Sequence, residues 1–155
     1  MARNGKTSKR YCKRGISVLS WIYKLENRIY TIVKTRTTKV LSKYPDLNFT
    51  QDPEPDDTTP HFPTVFFTFL PSAEMGRTIE GSSINAIMST IEVQVTSSKT
   101  QGLTVARTVS WEVVEQLKAL RYEVVLSPKV IPTGNDTCEV VFRMRRMIGA
   151  NDKIG

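Results

Sequence analysis

Three groups of residues could carry chemistry. The first is a run of cations at the start: Arg3, Lys6, Lys9, Arg10, Lys13 and Arg14, with no acid among residues 1–14. Six like charges in so short a stretch repel one another unless an anion sits among them. The pattern points to nucleic acid or to an acidic protein surface, with a solvated tail as the plain alternative. Tyr11 supplies one ring for stacking, but no RNP-type aromatic motif accompanies it, so sequence-specific reading is not expected. The second group is acidic: Asp52, Glu54, Asp56 and Asp57. Carboxylates at this density could hold a divalent cation, yet the spacing lacks the glycine and terminal Glu of an EF-hand loop. A solvated loop, or an electrostatic contact with a basic partner, accounts for them as well. The third is His61, the single histidine, in a proline-rich segment with no G-x-S-x-G context. It is expected to be a structural or exposed loop residue.

Other chemistries find no support. Gly76 and Gly81 precede Ser82-Ser83, but a P-loop needs Lys and then Ser or Thr straight after its second glycine. Cys12 and Cys138 form neither a CxxC nor a Cys/His cluster, so no disulfide framework, zinc site or other cofactor is expected. No apolar run approaches the roughly 20 residues of a spanning helix. The apolar stretch 16–23 is interrupted by Ser17 and Ser20 and followed by Lys24, Glu26 and Arg28, which does not suit a signal peptide. The sequence points away from an enzyme.

The elements that position these groups follow from hydrophobic period. The chain has 155 residues and a net charge of +7, of which +6 lies in residues 1–14 and +1 in the rest. Residues 1–15 read as a basic flexible arm, 16–149 as one domain and 150–155 as a tail that frays. From Ser17 to Tyr44, Val18, Leu19, Ile22, Leu25, Ile29, Ile32, Val33, Val40 and Leu41 recur mostly at helical spacing. Ser17 can cap this helix, the Thr35–Thr38 stretch can break it, and Pro45 ends it. Leu47–Thr50 fits a short edge strand. Thr64–Leu70 is an aromatic, β-branched strand stopped by Pro71, and 71–84 reads as a loop.

Asn85–Thr96 alternates, with Ile87, Ile91, Val93 and Val95 on one face and Thr90, Glu92, Gln94 and Thr96 on the other. Ser98 to Gln101 fits a capping box ahead of a second helix, whose apolar stripe is Leu103, Ala106, Val109, Val113, Leu117 and Leu120. Tyr122–Leu126 and Thr137–Met147 complete the strands. In the last one Cys138, Val140, Phe142 and Met144 share a face, opposite Glu139, Val141, Arg143 and Arg145. The economical packing is an α+β two-layer sandwich: a mostly antiparallel sheet of four to five strands with two helices on one face. Val65-Phe66-Phe67 then puts apolar groups on both sides of the sheet. Met88, Val141 and Met147 add to the side without helices, which a neighbouring subunit or the 71–84 segment would cover.

The order of four segments resembles a known family. FPTVFFTFLP is followed by NAIMSTIEVQVTSSKTQ, by a helix ending VVEQLKALRYEVV, and by CEVVFRMRRMIG. Over residues 16–149 this resembles the tail terminator (tail completion, head–tail joining) proteins of long-tailed bacteriophages. That family has a glycine where the second helix meets the next strand; here the junction reads Ala119-Leu120-Arg121-Tyr122.

The resemblance implies a virion structural protein, assembled in the host bacterial cytoplasm and placed at the tail–neck junction. Its α+β subunits would form a homo-oligomeric, hexameric ring that caps the tail tube. The ring would join the tube to the neck (stopper) component and enclose the DNA channel, where contact with DNA would be non-specific. No catalytic residues and no membrane come with the family. Another head–tail connector, neck or minor capsid component is the nearby alternative, and a basic-armed nucleic-acid-binding module is the alternative of another class. In a ring, two different patches meet at each contact. Asp52, Glu54, Asp56 and Asp57 are candidates for one side, and the arm with Arg143, Arg145 and Arg146 for the other; Phe66 is a further interface candidate. Such rim pairs set register more than affinity.

Overall fold

A computed structural model describes residues 12–52, 61–77, 84–133 and 136–154. The elements run α1 (Cys12–Val40), β1 (Asn48–Thr50), β2 (Thr64–Arg77), β3 (Ile84–Ser98), α2 (Gly102–Ala119), β4 (Glu123–Ile131) and β5 (Thr137–Gly149). They make an α+β sandwich. The five strands form one sheet in the order β1-β2-β3-β5-β4, antiparallel except for β1 beside β2.

The alternation of β3 decides the two faces. Ile87, Ile91, Val93 and Val95 point inward and are buried, as are Val65 and Phe67 of β2 and Val140, Phe142 and Met144 of β5. Register places them side by side, with Val65 against Val95 and Val93 against Phe142. Helix α2 lays Ala106, Val109, Val113 and Leu117 on this surface. Helix α1 packs on the same side through Ile29 and Val33. Tyr30 meets Phe67 edge to face at 5.7 Å, and its hydroxyl donates to the Phe49 carbonyl at 3.0 Å, which fastens α1 to β1. Both helices are therefore on one face, as the sequence pattern predicts.

Several boundaries differ from the sequence expectations. Helix α1 begins at Cys12, so Ser17 lies inside it and does not cap it. Lys13 and Arg14, assigned above to a flexible arm, belong to the helix; residues 1–11 lie outside the described region. The Thr35–Thr38 stretch does not break the helix, because Thr37 is fully buried against the core and packing outweighs the weak propensity. The helix stops at Val40, and a turn closes with Tyr44 N–H donating to the Leu41 carbonyl at 2.9 Å.

Pro71 does not stop β2 either. It sits in the register shift between Leu70 and Ala73, where β1 no longer flanks the strand, so its missing N–H breaks no ladder bond. Residues 71–77 thus extend the strand and do not fold over the sheet. Strand β4 likewise continues past Pro128 to Ile131, as an edge strand allows. The capping box does not form: the N-cap of α2 is Gln101, with no side-chain cap, its N–H donates to Ser98 Oγ at 3.3 Å in the preceding turn, and its amide donates to the Phe62 carbonyl. The tail does not fray through Ile154. That residue is buried, and Asp152 accepts from the Gly149 N–H at 3.2 Å.

One buried polar pair closes the lower core. The Tyr122 hydroxyl lies 3.0 Å from Ser89 Oγ on the inner face. Burial pushes the Tyr122 phenol up to about 12, opposed by the Ser89 hydrogen bond and the nearby Arg146 cation. A folded value above the unfolded value of about 10 means that this stabilisation is complete below pH 10. It is lost as pH rises through 12, a loss of about 2–3 kcal/mol. In an alkaline absorbance titration, one phenol should titrate near 12, and Tyr122→Phe should remove that step. Tyr122→Phe should also cost about 1–2 kcal/mol by orphaning Ser89, and adding Ser89→Ala should recover most of it in urea melts.

Candidate functional site

Among the described residues no three His, Cys, Asp or Glu side chains come together as a metal site. His61 is exposed at the foot of β2, where its carbonyl accepts a hydrogen bond from the Thr64 hydroxyl. No described helix is long and apolar enough to cross a membrane. The features that remain are surfaces.

The largest is the outer face of the sheet, opposite the helices. Cross-strand register brings Phe66 of β2 beside Gln94 of β3 and Gln94 beside Val141 of β5. Met88 and Met147 face each other in the same way, and Met147 is 54% exposed. Phe66, Met88 and Val141 stand outside the buried core cluster. Polar groups on this face pair with one another. Arg143 donates to Glu92 directly opposite it, and Gln94 donates to Glu139. Partial burial raises the Glu139 carboxyl above its ordinary value. A surface ion pair of this kind contributes little stability; it keeps the face electrically quiet.

The candidate basic residues of β5 divide by strand parity. Arg143 and Arg145 lie on the outer face, Arg143 committed to Glu92 and Arg145 exposed beside Thr90 and Glu123. Arg146 is removed from the candidate surface. It falls on the inner parity, donates to the Leu120 carbonyl at 2.6 Å, and reaches Asp152 at 3.4 Å. It holds the end of α2 and the tail together, with a side chain only 10% exposed. Of the acidic candidates, Asp52 is exposed just after β1; Glu54, Asp56 and Asp57 lie outside the described residues, as do Arg3, Lys6, Lys9 and Arg10.

Two features escaped the sequence reading. The edge strand β4 exposes Val124, Val125, Leu126 and Ile131. Apolar residues on an open edge invite pairing with another chain. The sequence pattern gives a strand over Tyr122–Leu126, and only the sheet order places it at an edge. The second feature is charge. Residues 1–43 hold twelve Lys and Arg and one acid, Glu26, or +11; residues 44–155 hold ten basic and fourteen acidic side chains, or −4. A boundary drawn at residue 14 hides this division, because it falls inside α1.

The junction after α2 has its own solution. Arg121 takes φ +64°, the left-handed conformation that glycine adopts freely. Its N–H bonds the Lys118 carbonyl at 2.8 Å, and the Tyr122 N–H bonds the Leu117 carbonyl at 3.0 Å. This is a Schellman ending with arginine in the glycine position. Arg121→Gly should therefore relieve strain and stabilise the fold by about 0.5–1 kcal/mol, net of the glycine's greater unfolded-state entropy. The measurable result is a rise of about 1–3 °C in Tm. An unchanged or lower Tm would show that the Arg121 side chain makes up the difference in contacts.

No family model matches the chain, and no curated protein matches it significantly.

Proposed function

We propose that the chain is a structural subunit that assembles with copies of itself into a ring closing the end of a phage tail tube and joining it to the neck. The carrying observation is the pair of unlike open surfaces on one sheet: an outer face without helices and an apolar edge at β4. A subunit with two different unsatisfied patches suits the head-to-tail contacts of a closed ring. The order of segments that resembles tail terminators gives this general reading its particular form. The acidic segment holding Asp52, Glu54, Asp56 and Asp57 would meet basic groups of a neighbouring subunit or neck component.

Antibody against this chain should label the head–tail junction of virions by immunogold microscopy; label elsewhere on the particle overturns the reading. Native mass spectrometry of the protein with tail tubes should show a ring-sized multiple of the 17.5 kDa subunit. Val125→Lys with Ile131→Lys should abolish that species while leaving the melting temperature within about 2 °C, since both side chains are exposed. Neutralising the four acids together to Asn and Gln should reduce assembly and virion yield. If yield is unchanged, those acids have no part in the contact.

A further inference from the structure

Helix α1 holds seven basic residues and a single acid, Glu26. Glu26 is half-buried and is not among the exposed residues of the wet side of the helix. On that wet side Lys24, Asn27, Arg28, Thr31, Thr35, Thr38 and Lys39 are exposed at spacings of three and four. They make one ridge, about 22 Å long from Lys24 to Lys39 at 1.5 Å per residue. Lys34, Arg36 and Lys43 flank it and are exposed too. Lys24 and Arg28 stand one turn apart, as do Arg36 and Lys39, which repel on an isolated helix. Among the described residues, Lys24, Arg28, Arg36 and Lys39 pair with no carboxylate.

We propose that this ridge of α1 binds the phosphate backbone of double-stranded DNA. The residue types choose among anionic partners. A protein interface centres on apolar and aromatic anchors and is depleted in lysine. Here the positions between the cations are Thr and Asn, which serve as hydrogen-bond partners for phosphate oxygens. Single-stranded nucleic acid needs a row of stacking rings, and Tyr23 is the only strongly exposed ring on the described side chains of α1; the other exposed apolar group, Val40, is aliphatic. A helix face carrying cations along about 22 Å suits a duplex carrying one charge per about 1.7 Å. Residues 44–155 carry −4, so the excess positive charge of the chain is concentrated at α1 and the residues before it. No base-reading residues are implied, so binding is independent of sequence. The inference needs only α1, and a failure to form rings leaves it intact.

The test uses the full chain and a fluorescein-labelled 20-base-pair duplex of arbitrary sequence, followed by anisotropy between 50 and 200 mM NaCl. The wild type should bind with a steep negative dependence of log K on log salt. Lys24→Gln, Arg28→Gln and Lys39→Gln together should weaken binding about tenfold or more at 50 mM NaCl. They should also flatten the slope by about 3, roughly one per lost phosphate contact. The matching Lys24→Arg, Lys39→Arg variant should bind like the wild type, and circular dichroism melts should be unchanged in all three proteins. No binding at 50 mM NaCl overturns the proposal. So does a triple glutamine variant with wild-type affinity and slope, which would put the contact in residues 1–11. Equal competition by polyglutamate and by duplex at matched charge also overturns it, in favour of an acidic protein partner.

Discussion

Ile87, Ile91, Val93 and Val95 are almost wholly removed from water, and their burial under α2 dictates which side of every neighbouring strand is wet. β3 is the central strand, so each pair of register partners inherits its parity. A slip of one residue would turn these four outward and put Glu92 and Gln94 into the core. The apolar stripes of both helices can then be satisfied only on the inner face. The outer face is left open as a direct consequence, and the sheet order leaves β4 at an open edge.

The same parity sorts the charges. Arg143 and Arg145 are presented on the outer face, while Arg146, one residue on, is turned under the sheet to hold Leu120 and Asp152. Three arginines that look alike in sequence therefore do different work. The Glu92–Arg143 pair cancels opposite charges in the middle of the outer face, and the Gln94 amide donates to the Glu139 carboxylate beside it. Excess positive charge is carried by α1, on the side of the molecule away from the open sheet face. The proposed sheet surface for copies of itself and the proposed helix surface for a polyanion are compatible, because they lie on opposite layers.

Both surfaces share an energetic logic. The core is closed by apolar burial and by one buried hydroxyl pair, and it needs neither β4's exposed side chains nor the ridge of α1 for stability. Groups free of structural duty can be given to partners. Arg121 is the instructive exception: it sits in backbone geometry that glycine would occupy at lower cost, beside Arg145 and Asp152 at one end of the sheet.

Much of the fold was legible in the residues. The two-residue alternation of β3 and β5 and the 3.6-residue stripes of both helices are local signals. They report which side of an element must be dry whatever it packs against. The α+β class, the two helices on one face and the partition of β5 all follow from them. The ends of elements did not follow. Pro71 reads as a stop, yet it lies where no neighbour asks for its N–H, and only the strand pairing reveals that. Thr37 reads as a weak point in a helix, yet the core holds it. The surfaces were the least legible, because exposure belongs to the assembled layers and not to any segment. Val124 to Leu126 look like core until β4 is placed at the edge. Lys24, Arg28 and Lys39 look dispersed until one helix face collects them.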